Sequence, residues 1–165
     1  MMIRNISELP AQMRKNSCLL GIDYGSKVIG IAVSDPSLSV ASPLASIVRK
    51  KFSADAAAFA AIVKERNIGG LVVGLPKNMD GSESRTAQAA RAFIRNLMQK
   101  NILPDSDIPV VFWDERLSTA AVERFLIEDG MSRKRRDSVI DKTAAAYILQ
   151  GALDAIRNAD VRISG

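Results

Sequence analysis

Acidic residues stand at three points of the chain where the neighbouring residues are apolar. Asp23 lies within LLGIDYG, Asp114 and Glu115 directly follow IPVVFW, and Asp141 lies on the apolar stripe of a C-terminal helical segment. A buried carboxylate is costly unless something compensates its charge, and carboxylate oxygens are ligands that Mg²⁺ and Mn²⁺ prefer. These acids are therefore candidate metal ligands.

Each of these acids also has a purely structural interpretation. Asp23 could bond the Ser-Lys turn at the end of its strand, and Asp114 with Glu115 could form a polar loop that caps the next helix. Asp141 is the third residue after Ser138, and S-x-x-D before an apolar helix is also a capping box. Adjacent strand residues point in different directions, so only one of Asp114 and Glu115 need be a ligand.

The composition excludes several other kinds of catalytic site. The chain has no histidine, and Cys18 is its one cysteine. This excludes an intrachain disulfide, Cys/His zinc sites, Ser-His triads and histidine acid/base chemistry. Any metal in this protein must be bound by oxygen.

The length predicts one folded domain. At 165 residues, with 47% hydrophobic and 25% charged residues, the chain can bury an ordinary core. We expect the domain to span residues 18–158, with a tail or loose helix at residues 1–17 and a C-terminal tail at residues 159–165. The N-terminus has no secretory apolar region and no segment approaches 18 uninterrupted apolar residues, so we expect a cytoplasmic protein without membrane contact.

Two kinds of hydrophobic pattern alternate along the chain. Apolar runs predict strands, a hairpin from CLLGIDYG and VIGIAVSD, then ASPLASIVRK, and later LVVGLP and IPVVFW. Helical periodicity predicts a helix around residues 56–63 that stops at Asn67, Gly69 and Gly70, and others at about 83–100, 118–128 and 139–158. The order predicts an α/β fold, a mixed five-stranded sheet of three antiparallel and then parallel strands, with helices on both faces.

Basic residues favour an anionic partner. The net charge is +5 and the pI is about 9.6. A basic run, SRKRRD at residues 132–137, precedes the predicted last helix, and other cations flank the acidic segments. These side chains could steer phosphate toward the acids, although such a run could equally be a solvated loop. The candidate nucleic-acid contacts are Lys77, Arg85, Arg116, Arg133, Lys134, Arg135 and Arg136.

Four ordered segments resemble the YqgF/RuvX family of RNase H-like proteins: GIDYGSKVIGIAVSD, VVGLPKNMDGSES, WDERLST and DKTAAAYILQ. The resemblance covers about residues 18–157. It implies an RNase H-like fold and a nuclease, because the family is described as Holliday junction resolvases and as nucleases that mature the end of pre-16S ribosomal RNA. Structured RNA or branched DNA would be the partner, and the protein would be a monomer or a homodimer.

The resemblance also assigns roles to three acids. Asp23 matches the first-strand acid, Glu115 the acid of the DER segment, and Asp141 the acid of the C-terminal helix. Together they would hold Mg²⁺ or Mn²⁺, two ions in all. Val28 and Lys142 depart from residues common in relatives, which leaves the substrate contacts near the site open.

Two rival functions remain at this point. D-Y-G-S-K after a hairpin strand also resembles the phosphate loop of actin-like ATPases and sugar kinases, but those proteins close two such domains around a nucleotide and this chain supplies one. A non-catalytic RNA-binding module would be expected to have lost an acid, and all three acids are present. Nothing in the residues distinguishes RNA from DNA as substrate.

Overall fold

The computed structural model describes residues 1–78, 80–104, 107–115 and 133–164, and in the last helix it describes side chains for residues 142–159. Numbered in chain order, the strands are β1 Met2–Ile3, β2 Cys18–Tyr24, β3 Val28–Ser34, β4 Ala41–Val48, β5 Ile68–Leu75 and β6 Val110–Asp114. The α-helices are α1 Leu9–Gln12, α2 Phe52–Glu65, α3 Arg85–Gln99 and α4 Arg133–Ser164. The helix predicted at about 118–128 lies outside the described residues.

The strands form one mixed sheet in the order β1-β6-β5-β2-β3-β4. Strands β2, β3 and β4 are antiparallel neighbours, whereas β2, β5, β6 and β1 run parallel. The predicted α/β architecture with three antiparallel strands followed by parallel ones is therefore confirmed.

The sheet has six described strands and not the five predicted, because the N-terminal segment joins it. Met2 pairs with Val110 and Ile3 with Val111. Leu9, at the start of α1, is fully buried. The expectation of a loose tail at residues 1–17 is thus wrong for these residues, which pack against the domain.

Side chains alternate between two cores on the faces of the sheet. Along β2, Leu20, Ile22 and Tyr24 join the core formed with α2 and α3, whereas Leu19 joins the core formed with α4. The α4 core is rich in small residues, and a Cβ at Gly21 would lie 2.7 Å from Leu149 Cβ. Helix α4 therefore lies very close to β2.

Of the three residues predicted to stop α2, which are Asn67, Gly69 and Gly70, only Asn67 lies in the turn from α2 into β5. Asn67 has a left-handed φ of 52°. Both glycines lie within β5, where a Cβ at Gly70 would come within 2.7 Å of Leu19 Cδ2 and one at Gly69 would clash with Ser17. Close packing explains these glycines better than helix termination does.

Helix α4 begins at Arg133, six residues before the predicted start at Val139, and continues to Ser164 instead of ending at Asn158. Arg and Lys are good helix formers, so the basic run is part of the helix although it lacks apolar periodicity. Ser138 lies inside the helix and is not its N-cap, so the capping-box interpretation of Asp141 is wrong. No helix among the described residues is long and apolar enough to cross a membrane.

Candidate active site

The carboxyl ends of β2, β5 and β6 meet at one edge of the sheet, called here the carboxyl edge. In the parallel register, Asp23 of β2 lies opposite Gly74 of β5, and Gly74 lies opposite Trp113 of β6. The chain leaves β2 toward β3 and β4 on one side and returns through β5 and β6 on the other. Such a reversal of strand order leaves a crevice beyond the carboxyl ends, where α/β proteins bind ligands.

Asp23 is a buried carboxylate on the α4 face of the sheet. Its side chain is 8% exposed, and it lies two residues beyond Gly21, which contacts α4. Alternation along β2 therefore directs Asp23 toward the same side as α4. A carboxylate in this position needs compensating charge or hydrogen bonds.

Of the two adjacent acids on and after β6, Glu115 is better placed than Asp114. Phe112 packs with the α2 and α3 core and Trp113 with the α4 core, so alternation along β6 assigns Asp114 to the former face, and Glu115 follows the end of the strand. Glu115 is 8% exposed, whereas Asp114 is half-buried. The structure thus places two buried carboxylates, Asp23 and Glu115, at the same edge of the sheet.

Asp141 lies in α4, and its side chain is outside the described residues. Ala145, one helical turn further on, has its carbonyl oxygen 3.0 Å from the position of a Cβ at Gly21. The helix therefore passes β2 two residues before Asp23. This backbone placement is compatible with the predicted third acid, whose role stays a prediction.

The acids present suit a hard divalent cation. Asp23 and Glu115 offer carboxylate oxygens, which Mg²⁺ and Mn²⁺ prefer, and the chain has no histidine to favour another metal. Among the side chains that the structure describes, no three acidic, cysteine or histidine residues group closely enough to hold a metal ion. Two carboxylates from the sheet fit such an ion, and a third would have to come from beyond those side chains.

The loop after β5 forms a small closed hairpin at the carboxyl edge. Lys77 and Glu83 form an isolated antiparallel bridge, and the N–H of Asn78 donates to the carbonyl of Ser82 at 2.8 Å. Gly81 allows the turn through its φ of 89°. Ordered hydrogen bonds thus hold the backbone of this loop beside the acids.

Helix α3 begins directly after this loop and is capped at its start. The hydroxyl of Ser84 accepts from the N–H of Ala87 at 3.1 Å and donates to the carbonyl of Pro76 at 2.9 Å. Arg91 donates to both oxygens of Glu83, which with the charge of nearby Lys77 holds the pKa of Glu83 below its usual range. The loop and α3 are therefore held together by both backbone and charge.

The predicted basic contacts divide into two groups. Lys77 is half-buried in the loop and Arg85 is exposed at the first residue of α3, so both lie at the carboxyl edge. Arg116 lies outside the described residues. The four cations of the basic run are in the first turn of α4, and nothing is described of their side chains.

Sequence analysis missed a second group of cations at the same edge: Lys27, Arg49, Lys50 and Lys51. Strand β4 runs antiparallel to β3 and so returns to the carboxyl edge, where the N–H of Arg49 donates to the carbonyl of Lys27 at 2.9 Å. The signal was available, because residues 49–51 are three consecutive cations after the third antiparallel strand. The predicted strand ASPLASIVRK includes Arg49 and Lys50 as its last two residues, and no contact is predicted for them.

Arg49 is committed to holding the β2–β3 turn. Its guanidinium donates to the carbonyl of Ser26 at 3.1 Å and of Gly25 at 3.4 Å, and it lies 4.7 Å from the centre of the Tyr24 ring. Burial raises the pKa of Tyr24 above its usual value, with Asp55 adding to the rise and Arg49 opposing it. The turn that follows Asp23 is therefore fixed by a cation from β4.

Comparison with known proteins places this geometry in a family. A family model described as "RuvX: Holliday junction resolvase" matches residues 17–155. A Rhodospirillum centenum protein is 53% identical over 100% of this chain and 88% of its own length, and one from Roseobacter denitrificans is 55% identical over 95% and 94%. Both carry the name "Putative pre-16S rRNA nuclease".

The fold is also found among solved structures. RuvC of T. thermophilus, in complex with a Holliday junction substrate, superimposes with a TM-score of 0.50 at 15% sequence identity. The match covers 86% of this chain and 96% of that one. At this identity the match concerns the fold alone, and it confirms the RNase H-like architecture.

Proposed function

This chain belongs to the RuvX family, and from that premise we propose that it is a metal-dependent nuclease that hydrolyses phosphodiester bonds in structured nucleic acid. The observation that carries the proposal is the placement of Asp23 and Glu115. Both are 8% exposed, and they lie at the carboxyl ends of β2 and β6, the two parallel strands that flank β5. A cation bound at this edge would compensate the charge of two buried carboxylates.

We propose the end of pre-16S ribosomal RNA as the substrate. The support is the similarity to relatives that carry the pre-16S name and match this chain along almost its whole length. A Holliday junction is the second candidate, because the matching family model is described as a resolvase. A resolvase cuts two symmetric strands and would work as a homodimer, whereas RNA trimming needs only a monomer.

In this proposal Asp23, Glu115 and Asp141 would hold two Mg²⁺ or Mn²⁺ ions. When bound, such ions supply an activated water and stabilise the leaving oxygen of the phosphodiester. The carboxylates bring their negative charges to fixed positions on rigid strands and a helix. Burial of Asp23 and Glu115 keeps bulk water away and strengthens their electrostatic interactions. A cytoplasmic location goes with this function and stays a prediction.

The test is single-turnover cleavage of a labelled structured RNA and a labelled four-way DNA junction, each with Mg²⁺, Mn²⁺, Ca²⁺ or EDTA. We expect cleavage in Mg²⁺ or Mn²⁺, and binding with little cleavage in Ca²⁺, which accepts looser coordination. Glu115→Gln and Asp141→Asn should be slow in every metal. Asp114→Asn is the matched control for Glu115, because it removes the neighbouring acid, which lies on the α2 and α3 face, and should retain activity.

Three results would contradict the proposal. Binding of both substrates without cleavage of either would favour a non-catalytic RNA-binding module. Equal cleavage in EDTA would exclude the metal mechanism. Specific binding of ATP in calorimetry, together with no cleavage, would revive the actin-like alternative.

A further inference from the structure

The carboxyl edge carries exposed lysines on the side of β2 opposite to β5. Lys27 lies in the turn between β2 and β3, and Lys50 and Lys51 follow β4. All three side chains are exposed. The hydrogen bond from the N–H of Arg49 to the carbonyl of Lys27 ties the two segments together, so the lysines form one surface.

This lysine surface, defined as Lys27, Lys50 and Lys51, is not neutralised within the protein. Among the residues that the structure describes, no ion pair or side-chain hydrogen bond involves these lysines. The acid nearest in sequence to Lys50 and Lys51, Asp55, is 3% exposed and accepts the backbone N–H of Lys50 at 2.9 Å. The lysine side chains are therefore available to an external anion.

Two of these lysines occupy an electrostatically unfavourable place in the fold. Lys51 is the N-cap of α2 and makes no side-chain capping bond, and Lys50 precedes it. Helix N-termini carry partial positive charge and favour Ser, Asp or a bound anion there, so cations at this position oppose the helix dipole. An anionic partner would be attracted by the lysines and by the helix N-terminus together.

We propose that the lysine surface binds the phosphodiester backbone of a nucleic acid whose reacting phosphate lies at the carboxylates. The proposal depends on the proposed nuclease function in one respect, which is that the reacting phosphate lies at the carboxylates. Strand β4 is two strands from β2, or about 10 Å at the usual spacing between strands. Nucleic acid rises about 3.4 Å per nucleotide along its axis, so the surface meets the backbone roughly three nucleotides from the site.

Arg49 is the positioning residue of this surface. Its guanidinium donates to the carbonyls of residues 25 and 26 and lies over the Tyr24 ring. These contacts hold the turn that carries Lys27 beside Lys50, so we assign phosphate binding to the lysines and not to Arg49. The lysine surface is thus built on a fixed backbone. Sequence-independent binding to phosphates requires only such positioned cations.

The experiment compares two triple variants of the full chain. Lys27→Ala/Lys50→Ala/Lys51→Ala removes the surface. Lys15→Ala/Lys64→Ala/Arg66→Ala removes three exposed cations near the opposite edge, at the end of α2 and before β2, and so gives the same change in net charge. Affinity is measured by fluorescence anisotropy across a salt series in EDTA, with a DNA duplex, a DNA single strand and an RNA hairpin as probes.

We expect the first variant to lower the salt slope of binding by about 2.7 on duplex DNA and about 2.1 on the single strand, at roughly 0.9 and 0.7 per lost phosphate contact. Between 50 and 200 mM salt, the wild type should then lose about 40-fold more affinity for the duplex than this variant. The matched control should keep the wild-type slope. A larger loss on the RNA hairpin than on DNA would identify RNA as the preferred source of the phosphates.

The proposal that the lysine surface binds phosphates is wrong if the first variant keeps the wild-type salt slope. It is also wrong if the control variant lowers the salt slope by as much as the first variant does. These outcomes are independent of cleavage, because the binding is measured without metal. If the protein binds nucleic acid through these lysines but does not cleave it, the proposed nuclease function is contradicted. The proposed binding by the lysine surface is then still supported. Circular dichroism of each variant confirms that α2 still forms.

Discussion

Asp23 lies directly opposite Gly74 in the parallel pairing of β2 with β5. Strand β5 lies between β2 and β6, and at this register position it carries a glycine and no side chain. The Ile148 side chain of α4 fills the space above Gly74. A Cβ at Gly74 would lie 2.6 Å from Ile148 Cδ1. The absence of a side chain at this position therefore sets how closely α4 approaches the two acids.

Two glycine substitutions should have different effects for this reason. In Gly21→Ala the new methyl would meet Leu149 Cβ at 2.7 Å and the Ala145 carbonyl at 3.0 Å, so α4 itself must move. In Gly74→Ala it meets the end of the Ile148 side chain, which can rotate. Overpacking costs about 1–3 kcal/mol, and we expect Gly21→Ala to fall at the upper end and Gly74→Ala at the lower. Urea unfolding measures this, and a greater loss in Gly74→Ala would contradict the packing described.

Asp23→Asn should abolish cleavage and leave the fold intact, because the amide keeps the shape of the side chain and removes a charge from the proposed metal site. In EDTA the melting temperature should rise or stay the same, since close like charges disfavour the compact state. Single-turnover cleavage and thermal unfolding in EDTA measure the two effects. If Asp23→Asn keeps wild-type activity, the assignment of Asp23 as a metal ligand is wrong.

Changing the four cations at residues 133–136 together to Ala should weaken nucleic-acid binding and flatten its salt dependence. Each lost phosphate contact lowers the slope by about 0.9 on duplex DNA or about 0.7 on single strands. These residues lie in α4, and Ala is the best helix former, so the helix should remain folded in this variant. A lower slope would then report lost phosphate contacts and not unfolding of α4. An unchanged slope would mean that this part of α4 is merely solvated.

Asp35 gives the fold a pH dependence of known sign. It accepts hydrogen bonds from the Ser37 hydroxyl and from the N–H groups of Ser39 at 2.8 Å and Val40 at 3.0 Å, which lower its pKa to about 2. A depressed carboxyl pKa stabilises the fold above the unfolded value of about 3.9 and loses that contribution as the pH falls through the folded value. The stability gap between wild type and Asp35→Asn should therefore be full above about pH 5 and narrow progressively toward about pH 1. Urea unfolding across this range measures it, and a constant gap would show that the charge of Asp35 is irrelevant.

The strands that carry the site could be predicted from the sequence because their signals are local. Each of β2, β5 and β6 is a continuous apolar run, and parallel strands bring their carboxyl ends to one edge. Asp23 and Glu115 therefore lie at the same edge of the sheet, and their role as metal ligands stays a prediction. The choice of Glu115 over Asp114 came from the family resemblance, and the structure adds that Glu115 is buried whereas Asp114 is half-buried.

Features that depend on distant pairing could not be predicted. Two residues show no periodicity, so Met2–Ile3 gave no strand signal. The run of cations at residues 49–51 is visible in the sequence, but its proximity to Lys27 follows only from the β3–β4 register. The early start of α4 was missed because a run of cations has no apolar face to reveal helical periodicity.

The pairing of β1 with β6 bears on how the chain folds during its synthesis. The amine of Met1 donates to the Ile108 carbonyl at 2.9 Å, across 107 residues. Strand β1 therefore cannot pair until β6 has been synthesised. Contacts this distant in sequence form slowly. Because α4 and Asp141 are made later still, we expect nascent chains stalled before residue 141 to lack the proposed nuclease activity.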